Sequence, residues 1–255
     1  MKTTENSSQI TIDKKKQEKL IRSYPKYLKS KQKALTRYFG AERTKHILFR
    51  AEKAYPAIVA KVHTFKTPMY DALMVTASKM AALKKSMNAI GIGTEEFVRF
   101  SIEDTRSTGE KVPSFLLKLG GKVYLSKLMR QYLKKVGKSV SENGWPTEVI
   151  DGKKTDDFEM SVETRNCQMV AFWESIGEGD IRPYCTFFDF TSAEMLGVGL
   201  KQVSTIDSGD CKYCFYKKGK VEWPDIVREV LANLLIVKYI KNKIDCHHQI
   251  SPKYM

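Results

Sequence analysis

The sequence predicts an α+β protein, with a mostly helical N-terminal half packed with a small antiparallel sheet and an amphipathic C-terminal helix. Three observations predict it. From Asp13 to about Thr105 apolar residues recur at helical spacing. Near residue 158 the period falls to two, where Phe158, Met160 and Val162 alternate with Glu159, Ser161 and Glu163. The helical period then returns over Pro224–Lys241.

In order along the chain, residues 1–12 are polar and without period, and read as a disordered tail. Residues 13–255 read as one domain: a helical half 13–139, a loop 140–154 and a sheet-containing half 155–245. Pro25 and Gly40 punctuate the helical half, and Pro56 kinks or splits its third helix. Pro68 suits a first helical turn and Gly91 a C-terminal cap, with Leu73, Ala77, Met80 and Leu83 on one face between them. Thr94 is placed to cap the next helix, whose first turn carries Glu95 and Glu96. Pro113–Gly137 is helical with a basic outer face, which Gly120-Gly121 breaks or bends. The Ser-, Gly- and Asn-rich stretch Val140–Lys154 is the expected loop. Beyond the first strand, Cys167–Ile176 and Pro183–Met195 read as short helices. Leu200–Ile206 and Cys211–Lys217 read as strands joined by Asp207-Ser208-Gly209-Asp210. In the last helix Val227, Val230, Leu231, Leu234 and Leu235 form the buried stripe.

Composition narrows the function classes. The chain carries 44 Lys/Arg against 29 Asp/Glu, a net charge of +15, of which residues 1–55 contribute +10 (15 − 5). Such an arm attracts nucleic acid, anionic lipid or an acidic partner, or is simply a solvated helix face. No helix-turn-helix, zinc-finger or ribonucleoprotein signature accompanies it, so nucleic acid ranks low among expected partners. The start MKTTENSSQITIDKKKQEKL has no apolar core, so no secretory signal is expected. The apolar run near Val230–Val237 is far shorter than the roughly 20 residues of a membrane span. Five cysteines, an odd number, fit a reducing cytoplasm.

Four of those cysteines fall between Cys167 and Cys214, while Cys246 lies beside His247 and His248 near the C-terminus. Three readings compete. Cys211-x-x-Cys214 has zinc-ligand spacing, but residues three apart on a strand face opposite sides, so no metal is expected. Plain packing accounts for any single buried cysteine. Nucleophilic catalysis is the third.

The stretch NCQMVAFWESIGEGDIRPYCTFFDFTSAEMLGVGLKQVSTIDSGDCKYCFY carries a cysteine opening a helix, a Gly turn, Cys-x-x-x-Asp, a strand, a second Gly turn and Cys-x-aromatic-x-aromatic. In this it resembles the L-2-amino-thiazoline-4-carboxylic acid hydrolase family, and the helical stretch TPMYDALMVTASKMAALKKSMNAIGIGTEEFV is similar in a generic way. The matching positions are Cys167, Gly177, Cys185, Asp189, Thr205, Gly209 and Cys211, with Tyr213 and Phe215. Where the family pattern has Arg-Thr, this chain has Gln202-Val203, which points to another grip on the substrate or another substrate.

The resemblance implies a cysteine-dependent hydrolase of a small amidine- or thiazoline-like molecule, without a cofactor. Cys167 or Cys185 is the candidate nucleophile, and Asp189 holds an amidinium or acts as base. Thr205, Gln202, Gly209, Cys211 and Arg182 are the candidate substrate contacts. With no histidine in the signature, a Cys–His pair needs His46 or His63; otherwise a helix N-terminus, Arg182 or Lys201 activates the thiol. The alternative is a non-catalytic module of the same shape that binds or senses a small molecule.

Overall fold

The computed structural model describes residues 12–217 and 219–232. Two long antiparallel helices open the chain, α1 (Lys14–Phe39) and α2 (Ala41–Val59). Asp13 starts α1 by accepting a hydrogen bond from the Lys16 amide at 2.9 Å. Pro25 sits inside α1 without ending it, and Pro56 lies in the last turn of α2, so neither breaks a helix. The separation is made at Gly40, whose φ of 81° lies in the region glycine tolerates. Ile12 is buried and its amide donates to the Val62 carbonyl at 3.1 Å. The last residue of the expected tail, Ile12, is thus packed into the fold, and residues 1–11 of that tail lie outside the described residues.

Helix α3 (Pro68–Asn88) starts on Pro68 and is buried on most of its circumference. Helix α4 (Thr94–Gly109) is capped by Gly93 rather than Thr94, whose hydroxyl instead donates to Asp180. The expected Pro113–Gly137 helix is two, α5 (Ser114–Tyr124) and α6 (Lys127–Ser141), and the break falls at Leu125-Ser126. Ser126 caps α6 by accepting from the Met129 amide. Gly120 and Gly121 lie inside α5; a Cβ on Gly121 would stand 2.3 Å from the Leu196 carbonyl oxygen. The glycine pair therefore permits a close helix approach instead of bending the helix.

The expected loop is partly structured. Val140 and Ser141 finish α6, and Thr147–Asp151 is strand β1. It pairs with β2 (Met160–Arg165), which is followed by α7 (Gln168–Ser175), a 3-10 turn at Gly179–Tyr184, and α8 (Phe187–Leu196). Strands β3 (Gly199–Ser204), β4 (Asp210–Tyr216) and β5 (Val221–Glu222) complete a sheet of order β1-β2-β4-β3-β5. The sheet is mixed, because β5 runs parallel to β3 while all other pairs are antiparallel. A short return strand after a crossing loop escapes a purely antiparallel expectation. The last helix begins at residue 225 and is described to residue 232; Leu234, Leu235, Lys238 and Lys241, like Cys246, His247 and His248, lie outside the described residues.

Two apolar clusters hold this together. One joins α1–α4 to Trp145, Phe172, Trp173, Phe187, Val227 and Val230. The other sets the inner sheet face, with Val149, Met160, Leu200 and Phe215, against Leu125, Leu133 and Phe190. Among the described residues no helix is long and apolar enough to cross a membrane.

Candidate active site

Strand alternation puts Cys211, Tyr213 and Phe215 on one face of β4, and register sets Gln202 of β3 opposite Tyr213. Gln202 Nε2 donates to Cys211 Sγ at 3.5 Å. Cys214 faces the other way, near Lys212 and Lys201, so the Cys-x-x-Cys pair does not converge. Among the described residues no group of three or more His, Cys, Asp or Glu side chains is placed to hold a metal ion.

Above the inner sheet face stand the starts of two helices. Cys167 immediately precedes α7, and the amides of Val170 and Met169 face its sulfur and lower its pKa, short of a full capping hydrogen bond. Burial is the larger influence and pushes the Cys167 thiol above its ordinary range. Cys185 ends the 3-10 turn, and Asp189 lies one turn on, in the first turn of α8. Burial, then Cys167, Cys211 and Asp189, push the Cys185 thiol well up. Cys211 is pushed to about 11, first by burial. Cys167, Cys185, Cys211 and Asp189 are thus close enough to act electrostatically on one another.

Asp189 defines the character of the place. Asp189 is exposed by residue surface area, yet desolvation by surrounding protein is the main influence on its carboxyl and raises it to about 6. We read that combination as a recess that Asp189 shares with the neighbouring thiols. Its own backbone amide is the one opposing influence, and no cation among the described residues contributes. Tyr70, Tyr124 and Tyr213 also face this recess: burial raises each phenol, and the charge of Asp189 raises each further.

The remaining expected contacts are peripheral. Arg182 is held between Glu174 at 2.8 Å and Asp207 at 2.6 Å, and Lys201 pairs with Glu222 at 3.1 Å. Neither is a cation available to the recess thiols. Thr205 lines a separate groove of about 520 Å³ along β3 and β5, shared with Gln202, Trp223 and Arg228. Gly209, at φ 106°, shapes the β3–β4 turn. No histidine among the described residues acts on Cys167, Cys185, Cys211 or Asp189; burial lowers the pKa of His63, whose Nδ1 is buried without a hydrogen-bond partner.

The sequence reading omitted the two helical tyrosines, Tyr70 and Tyr124. No protein-family model, no curated protein and no solved structure matches this chain.

Proposed function

We propose that this chain is a cysteine-dependent hydrolase of a small, cationic C–N bonded substrate of amidine or thiazoline type, similar in chemistry to the L-2-amino-thiazoline-4-carboxylic acid hydrolases. The observation that carries the reading is an ionisable carboxyl, Asp189, sharing a desolvated recess with Cys167 and with no cation among the described residues to neutralise it. Three aromatic rings suit a flat cation there.

Cys167 is the better nucleophile, because the α7 amides stabilise its thiolate, whereas every influence on Cys185 opposes ionisation. An amidinium bound against Asp189 brings a positive charge that none of the described side chains supplies, and lowers the cost of the nearby thiolate. The Cys167 sulfur then bonds to the amidine carbon, one C–N bond breaks, and the departing nitrogen takes up the thiol proton. Water adds to the resulting thioimidate and expels the thiol. One water is consumed per C–N bond broken.

The test is turnover of a cyclic isothiourea carboxylate together with iodoacetamide labelling. Cys167→Ser should lower kcat by about a thousandfold or more. Labelling of Cys167 should outpace that of the other thiols when an amidine is bound. Equal, slow labelling of all thiols with no turnover removes the enzyme reading.

One observation favours a second reading, a non-catalytic sensor: burial raises all four described thiols, and among the described residues no basic side chain activates any thiol of the recess. An amidine that raises the melting temperature but is recovered unchanged selects it.

A further inference from the structure

Helix α5 and the start of α6 present a surface that the recess does not explain. Phe115 is 66% exposed, Leu119 53%, Val123 49% and Leu128 78%. At 100° per residue, Phe115, Leu116, Leu119 and Val123 fall within about 100° of arc, a continuous apolar stripe turned away from the core. Lys118 and Lys122 border it on α5, and Lys127 borders it at the α6 start. Residues 111–138 hold eight Lys/Arg and no Asp or Glu. Beside the stripe, a cleft of about 500 Å³ is lined by Lys118, Lys122, Lys127, Arg130 and Lys217, with Glu159 as its one carboxylate among the described residues.

We infer that this α5–α6 face docks on an anionic lipid bilayer. The apolar stripe enters the boundary between headgroups and acyl chains, the flanking lysines contact anionic headgroups, and the cationic cleft receives a headgroup phosphate. Contiguous exposed apolar surface on a soluble fold marks an interaction site. A helix with apolar residues on one side and lysines at its margins lies in the plane of a membrane interface. Charge complementarity selects the bilayer over a second copy of this chain. A two-fold interface would set eight cations against eight, of which Arg130 and Lys134 are paired within the chain to Asp151 and Glu159. The inference stands apart from the hydrolase reading, since it uses the outer side of α5, the α6 start and the cleft beside them, and no residue of the recess.

Cosedimentation of the full chain with vesicles tests it. Binding to phosphatidylcholine vesicles containing about one third phosphatidylserine is expected, with little binding to phosphatidylcholine alone and a steep decline with salt. Lys118→Glu, Lys122→Glu and Lys127→Glu together should weaken binding by a hundredfold or more, at about fivefold per charge lost. Phe115→Ser, Leu119→Ser and Leu128→Ser together should abolish it. All six positions are exposed, so unchanged melting temperatures confirm that both variants fold. No binding to the anionic vesicles overturns the inference, as does binding that the serine substitutions leave unaltered. A lipid-free dimer dissolved by the serine variant overturns it in favour of self-association.

Discussion

At the scale of single residues the recess is defined by a carboxyl that is costly to ionise. Asp189 titrates near pH 6 in the folded chain against 3.8 for an ordinary aspartate. A folded value above the unfolded one means that stability is greatest below about pH 4 and declines as pH rises to about 6. Solvent reaches the side chain, so the cost above pH 6 is discounted to on the order of 1 kcal/mol. Asp189→Asn should therefore stabilise the protein at pH 7.5 by about that amount and change little at pH 4, read from urea midpoints. The same substitution should cost about a hundredfold or more in kcat/KM for a cationic substrate, and wild-type kcat/KM should rise with pH through about 6. An Asn variant of equal stability at both pH values would show that Asp189 is ordinarily solvated. Much of this was legible. Cys167, Cys185, Cys211 and Asp189 stood out because thiols crowd one short span, and Cys185 and Asp189 are one turn apart. Tyr213 shares a strand face with Cys211 through period two alone. Tyr70 and Tyr124 were not legible, because a tyrosine at helical spacing reads as core; only tertiary packing shows which ring faces a carboxylate.

At the scale of elements, close contacts decide what local propensity leaves open. Gly121 illustrates this. Alanine in a helix interior usually gains about 1 kcal/mol over glycine. Here its Cβ would meet the Leu196 carbonyl at 2.3 Å and Val198 Cγ2 at 3.0 Å, so α5 must move off the end of α8. Gly121→Ala should be destabilising by about 1–3 kcal/mol, a reversal of sign that thermal denaturation would detect. Sequence shows only the helix-weakening side of a glycine, which is why the pair read as a break. A second contact anchors the segment that delivers Cys185. Lys84 of α3 is fully buried, with Glu178 at 2.8 Å and Asp180 at 2.6 Å, on either side of the 3-10 turn's first residue. Lys84→Ala leaves Glu178 buried without its main partner, at a cost of about 3–5 kcal/mol. Adding Glu178→Gln should recover a large part of it, and a double variant no more stable than Lys84→Ala would mean that lost packing, not charge, is responsible. Strand β1 escaped the sequence for a related reason. Thr147–Asp151 is short and carries two acidic residues, Glu148 and Asp151, and its identity comes from its pairing with β2. The helices, each long enough to show a period, were largely legible.

At the scale of the whole molecule, the helical half does not own its core. Trp145, Phe172, Trp173, Ile176, Ile181, Phe187, Val227 and Val230 all come from beyond residue 141 and are buried in the same cluster as α1–α4. Full burial of a large apolar side chain contributes roughly 1.5–3 kcal/mol. Eight such side chains, roughly 12–24 kcal/mol together, match or exceed the roughly 5–15 kcal/mol by which a domain is stable at all. A fragment ending after α6, residues 12–142, should therefore keep much of its helical far-ultraviolet circular dichroism while losing cooperative unfolding, and it should bind a hydrophobic dye. The Lys84 ammonium would also lose both carboxylates of the later segment, which adds an unpaired buried charge to the exposed apolar face. A fragment with a sharp thermal transition and no dye binding would show that α1–α6 close a core by themselves. In that case the sheet and the Cys167–Asp189 segment would be an addition to a self-sufficient helical unit. Cys167 and Tyr70 pack with the first cluster and Tyr124 and Tyr213 with the second, so a ligand bound in the recess between them also stabilises the junction of the fold.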